Sequence, residues 1–238
     1  MFSAISPTLG TQPFNDWFAV DTVQRQPLGM TVTAVDPFWG LGKFMYVKST
    51  DAILKGSLVM WDEAYNGVLL PTTTLQGFPF GVSMVPAASG TFCWLQLEGR
   101  VVWKTNATVA ADVAIAVAAA GIAGTLVAGK QLVNVRNRIS ATGTKTVTVT
   151  TQNNTGILVA QAGYDGIFLG MALSGTGIPA STVAAGLDPD GKRIYTGSAI
   201  GTLGDKNSTA TGSITLTGTY TGFGSGMINN PFAQGAIT

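Results

Sequence analysis

Apolar and polar residues alternate along much of this chain, and the period is two. Thr31-Val32-Thr33-Ala34-Val35 and Lys43-Phe44-Met45-Tyr46-Val47-Lys48 each place their apolar side chains on one face, the signature of a half-buried strand. Lys55-Gly56-Ser57 reads as a turn feeding a strand over residues 58–61. Residues 80–85, 92–97 and 99–104 follow as further runs with turn signals between them. That spacing predicts a small barrel or sandwich.

Beyond residue 140 the pattern keeps its period but changes its residues. Lys145-Thr146-Val147-Thr148-Val149-Thr150 and Ser213-Ile214-Thr215-Leu216-Thr217 put Thr outside and aliphatic residues inside. Residues 156–159, 166–169, Val183, Leu187 and Ile194-Tyr195 add shorter candidates. All five Trp lie at or before Trp103, so the large aromatic core belongs to the first half. The prediction is an all-β chain. It has an extended N-terminal arm (1–30), a β-barrel domain (31–140), a Thr/Gly-rich β-sandwich (141–225) and a C-terminal tail (226–238). Gly222-Phe223-Gly224-Ser225-Gly226 reads as a flexible spacer.

Residues 109–129 are the most apolar stretch, broken only by Asp112. Their length approaches a membrane span, but Ala dominates and Gly121, Gly124 and Gly129 interrupt them. Val113, Ile115 and Val117 alternate with Ala, which favours strands joined by a glycine turn over an Ala-rich buried helix or a membrane span.

In the arm, Pro7, Pro13 and Pro27 oppose a long helix or central strand, yet Phe14, Trp17 and Phe18 lie between them. Large aromatics are costly to leave in water. Either the arm packs on its own domain, or these three side chains insert into a partner's apolar groove.

Composition narrows the function. Only 11% of residues are charged, and the formal net charge is +1. A surface of Gly, Thr, Ser and Asn suits protein–protein contact. Arg136-Asn137-Arg138 beside Lys130 is too short a basic run for a nucleic-acid stripe, so no nucleic-acid partner is expected, and no membrane partner either. There is no His, which removes the commonest general base and transition-metal ligand. The single Cys93 lies among apolar residues and reads as a buried thiol. The first residues lack the basic start and apolar core of a leader, which points to synthesis in a cytoplasm.

Three motif-like runs carry no chemistry on this reading, two of them as turns and one as a strand end. Gly175-Thr176-Gly177-Ile178-Pro179-Ala180 has the letters of a dinucleotide fingerprint without the helix that must follow. Asp188-Pro189-Asp190-Gly191-Lys192 opens like a calcium loop but has Ala199 at the twelfth position, and a β-turn is the default. Asp62-Glu63 are adjacent, where glycoside hydrolysis needs carboxylates across a cleft. No catalytic, cofactor-binding or metal-binding residue is predicted, and the chain is not expected to be an enzyme.

Residues 170–183, Gly-Met-Ala-Leu-Ser-Gly-Thr-Gly-Ile-Pro-Ala-Ser-Thr-Val, resemble a module common in phage virion proteins, G-M-x-V-S-G-T-G-I-P-A-G-T-T-V. Ser181 replaces the module's Gly, and residues 209–221 match its Thr-rich closing strand. More loosely, Lys55-Gly56-Ser57-Leu58-Val59, Gly81-Val82-Ser83 and residues 128–135 are similar to capsid decoration (cement) proteins. The resemblance implies a virion protein on the capsid surface, bound to the major capsid protein and often a homotrimer. A tail, baseplate or fibre protein is the alternative.

Overall fold

The computed structural model describes residues 3–4, 20–36, 39–72, 77–188 and 190–234. Among these residues there are seventeen strands and no helix, so the all-β expectation holds. The chain divides into two compact units. One is residues 142–221, with which Asp36 groups; the other is made of the described residues before 142, Asp36 apart, and of residues 222–234.

The larger unit is built on one branched sheet. Its strands are β1 (Ser3–Ala4), β2 (Thr31–Asp36), β3 (Gly40–Ser49), β4 (Leu58–Trp61), β5 (Asn66–Leu69), β6 (Phe78–Ser83) and β7 (Phe92–Lys104). A hairpin of β8 (Ile115–Ala119) and β9 (Ile122–Thr125) follows, then β10 (Leu132–Val135). The sheet order is β1-β2-β3-β5-β4-β6-β7-β17-β10, where β17 (Phe223–Ala233) comes from the end of the chain. Because β3 also pairs with β7, the strands β3, β5, β4, β6 and β7 close a five-membered circuit.

The period-two pattern explains the packing. In β3, Met45 and Val47 join a core with Val59, Cys93, Leu95 and Leu97, the face turned into the circuit. Phe44 and Tyr46 point the other way, packing with Val32, Ala34 and Trp94. A third core lies outside β4 and β6, where Leu58, Phe80 and Val82 meet Trp103, Ile115, Val117 and Ile228. The apolar run over 109–129 therefore supplies a hairpin, with Ile115 and Val117 facing that core.

The smaller unit is a closed barrel in the order β11-β12-β15-β14-β13-β16. Its strands are β11 (Thr142–Thr151), β12 (Ile157–Ala160), β13 (Ala172–Ser174), β14 (Thr182–Leu187), β15 (Arg193–Gly197) and β16 (Gly212–Thr221). β11 and β16 pair along their full length, from Thr142↔Thr221 to Thr151↔Gly212. Val149, Leu158, Ile194 and Leu216 are buried, and Thr144, Thr148, Thr215 and Thr219 are exposed.

Several boundaries differ from the sequence reading. A closed barrel, not a sandwich, occupies residues 142–221. Residues 166–169 are not a strand but a buried turn, with Ile167 N donating to Tyr164 O at 2.9 Å. Residues 92–104 form one continuous strand, with Gly99 at φ 98 beside a register shift.

The largest correction concerns the C-terminal tail. Residues 223–233 are β17, which pairs with β7, β10 and β6. Its glycines serve close approach. A Cβ on Gly224 would stand 2.3 Å from Asn137 Oδ1 and 2.5 Å from Trp103 Nε1, and one on Gly226 would stand 2.1 Å from Arg136 O. No side chain fits there, so the run that reads as a spacer is a tightly packed strand.

Candidate functional site

The predicted partner-binding residues Phe14, Trp17 and Phe18 lie outside the described residues. The described end of the arm docks on its own unit. Tyr46 Oη donates to Asp21 Oδ2 at 2.7 Å, and Arg25 Nε pairs with Asp21 at 3.1 Å. Asp21 also bridges to Phe92, while Val20, Leu28 and Met30 pack against the unit's cores. Burial, reinforced by the hydrogen bond to Asp21, raises the Tyr46 pKa, so the phenol stays neutral.

The charged groups named in the sequence reading are engaged locally. Asp62 Oδ1 accepts from the amides of Ala64 (2.9 Å) and Asn66 (2.8 Å), and Oδ2 accepts from Asn66 Nδ2 at 2.8 Å. These bonds, first those from Asn66, hold the Asp62 carboxyl below its ordinary pKa. Asp62 is thus the cap of a tight turn. Asp188 accepts from Arg193 at 3.1 Å and Tyr195 at 3.2 Å, and its carbonyl accepts from Gly191 N at 3.1 Å. The expected turn at 188–192 is present. Among the described residues, no three His, Cys, Asp or Glu side chains cluster as metal ligands.

Arg136 and Arg138 converge on one residue. Arg138 Nη1 pairs with Asp112 Oδ1 at 2.9 Å, and Arg136 donates to the Asp112 carbonyl. Asn137 between them is buried, so this short basic run is part of the scaffold. Cys93 is buried in the circuit core, and burial pushes its thiol up to about 12. Lys55, in the turn before β4, has its pKa lowered by burial.

The larger unit also carries a surface that the sequence did not reveal. Leu41 and Met227 remain 58% and 63% exposed, although both belong to central strands. With Thr33, Ile228, Lys43 and Glu98 they border a shallow groove of about 290 Å³. Val35 lies two residues beyond Thr33 on the same face of β2 and is 43% exposed. One wall is polar, because Glu98 Oε1 accepts from Asn230 Nδ2 at 2.7 Å and from Lys43 Nζ at 3.5 Å. The arrangement suits an apolar docking contact with a hydrogen-bonding rim. Leu41 sits between two glycines, and Met227 directly follows the run that reads as a spacer, so neither belonged to a legible strand pattern.

Compared with known protein families, curated proteins and solved structures, the chain matches none.

Proposed function

We propose that this chain is a phage capsid decoration protein. It attaches to the outer surface of the virion shell, takes the major capsid protein as its partner, and does so as a homotrimer. The larger unit grips the shell, the Thr/Gly-rich barrel faces outward, and the aromatic arm of Phe14, Trp17 and Phe18 adds anchoring contacts. The action is mechanical. Apolar area buried across capsomer junctions resists the outward pressure of the packaged genome. A surface poor in charge lowers the desolvation cost of those contacts.

The observation that carries this reading is the exposed apolar row of Val35, Leu41 and Met227, on a chain with only 11% charged residues. Burying each such side chain contributes about 1.5–3 kcal/mol. The virion-type module over residues 170–183 supports the same reading.

The test is reconstitution. Shells lacking the chain are mixed with purified protein, and binding is read by co-sedimentation while genome release is read on heating. Saturable binding together with release at a higher temperature is expected. Absence of shell binding, with attachment to isolated tails, would instead favour the tail, baseplate or fibre reading.

A further inference from the structure

Three strands meet at Glu98. Its cross-strand partners are Lys43 on β3 and Asn229 on β17. One oxygen of its carboxylate holds two nitrogens. Oε1 accepts from Asn230 Nδ2 at 2.7 Å and from Lys43 Nζ at 3.5 Å. A carboxylate only accepts, so the amide nitrogen of Asn230, and not its oxygen, faces Glu98. An amine and a primary amide are thus held against the same carboxylate.

This meeting requires irregular backbone on two strands. In a regular strand successive side chains point to opposite faces, so Asn230 would point away from Asn229 and from Glu98. Instead, residues 229–231 lie opposite Asn134 alone in the pairing with β10, and Asn230 has φ 43, in the left-handed region. The bulge turns its side chain back, and Nδ2 reaches Asn229 Oδ1 at 3.2 Å as well as Glu98. On β7 the register shifts beside Glu98, and Gly99 has φ 98. Buried Gln96 fastens this bend, its Nε2 donating to Glu98 O and to Arg100 O, each at 3.0 Å. As a surface ion pair alone the contact would contribute little. Unusual backbone of this kind gathers where side chains are aimed for chemistry.

We propose that Lys43, Glu98 and Asn230 form a self-modification site, in which an amide bond from Lys43 Nζ to Asn230 Cγ ties β3 to β17 across β7. Glu98 carries two protons in turn from Nζ. Loss of the first frees the amine's electron pair, which attacks Cγ and forms the Nζ–Cγ bond. Glu98 delivers that proton to Nδ2, the Cγ–Nδ2 bond breaks, and ammonia leaves with the bonding pair. The second proton comes off the newly bonded nitrogen and passes through Glu98 to ammonia. Overall, a lysine ammonium and a carboxamide give a secondary amide and an ammonium ion, and Glu98 returns to its carboxylate form. No further reactant is consumed. Fixed positioning replaces a bimolecular encounter. Lys43 and Glu98 border the open groove, which gives ammonia a way out. The reaction happens once per chain, as a maturation of the fold and not as turnover. It concerns this chain alone and is independent of whether the protein decorates a shell.

Intact-mass spectrometry of the purified full chain tests the proposal. The folded chain should weigh less than its 24.5 kDa sequence by one ammonia. A proteolytic digest should contain a branched peptide joining Lys43 to Asn230. Lys43→Arg, Glu98→Gln and Asn230→Ala chains should keep the full mass of their sequences and run apart from the linked chain on a denaturing gel. The wild-type mass decides the matter even where a variant fails to fold. A folded wild-type chain that keeps its full mass after prolonged warm incubation overturns the proposal. So does a loss of ammonia that persists in Lys43→Arg with no branched peptide in the wild-type digest, since the Asn66-Gly67 pair can lose ammonia by cyclising on its own backbone. A link that forms in Glu98→Gln at the wild-type rate removes Glu98 as the proton carrier and overturns the site as assigned.

Discussion

The side chain of Asn137 holds the backbone of Ser225, 88 residues further along the chain. Its Oδ1 accepts from Ser225 N at 3.2 Å, and its Nδ2 donates to Ala110 O at 2.7 Å and Ile139 O at 2.5 Å. Asn137 is fully buried, and it ties the strand that follows the barrel to two loops that precede it. The Asn137→Ala variant removes all three bonds and leaves the buried Ser225 amide and the part-buried Ile139 and Ala110 carbonyls without this partner. It should destabilise the larger unit by about 2–4 kcal/mol. Urea denaturation followed by Trp fluorescence measures this directly, since all five Trp precede the barrel.

The barrel's two ends leave the larger unit from adjacent points. Gly222 N donates to Ala141 O at 2.8 Å, so the gap left by residues 142–221 is one hydrogen bond wide. A chain with Ala141 joined to Gly222 through a short glycine linker should fold. A chain ending at Ile139 should not, because β17 is missing from between β7 and β10. Circular dichroism and amide dispersion in NMR spectra distinguish the two outcomes. Residues 142–221 alone should give a folded all-β spectrum, since β11 and β16 close their own barrel.

How much of this was legible depended on what each residue had to do. The Thr–Val alternation of β11 and β16 announced itself because one face meets solvent along the full ladder. Cys93 was legible as a buried thiol from its apolar neighbours. The strand from Phe223 to Ala233 was not legible, because glycine reads the same whether it confers freedom or makes room. At Gly224 and Gly226 it makes room for Trp103 and for the backbone of Arg136, residues about 90–120 positions away. No local pattern encodes such a distant contact. The groove beside Leu41 and Met227 was hidden for the same reason, since its two sides come from opposite ends of the chain.

Ser181 occupies a backbone conformation that suits glycine, with φ 55. It lies in the turn where Thr182 Oγ1 donates to Pro179 O at 2.7 Å. The left-handed conformation costs a side-chain-bearing residue about 1–2 kcal/mol, part of which returns as the added entropy of glycine in the unfolded chain. Ser181→Gly should therefore stabilise the barrel by about 1 kcal/mol, measured on residues 142–221 by thermal unfolding. In the preceding turn, a Cβ on Gly177 would stand 2.4 Å from the Cβ of Ala210 and 2.6 Å from its backbone N, at φ +72. Gly177→Ala should therefore cost about 2–3 kcal/mol.

The aromatic arm gives a prediction in which binding and stability separate. If Trp17 and Phe18 anchor a partner, replacing both with Ala removes about 1.5–3 kcal/mol per side chain from attachment. Affinity for the shell should fall by about two to four orders of magnitude, with the melting temperature of the free protein nearly unchanged. A large drop in melting temperature with normal binding by the folded fraction would assign these side chains to the protein's own core.

The most direct test of the central claim is an electron-microscopic reconstruction of the native particle that carries this chain. The decoration account predicts density for both β units on the outer surface of the icosahedral shell, in threes at positions of local three-fold symmetry, with the larger unit against the capsid protein. Density confined to the tail, baseplate or fibres, with a bare shell surface, would contradict it.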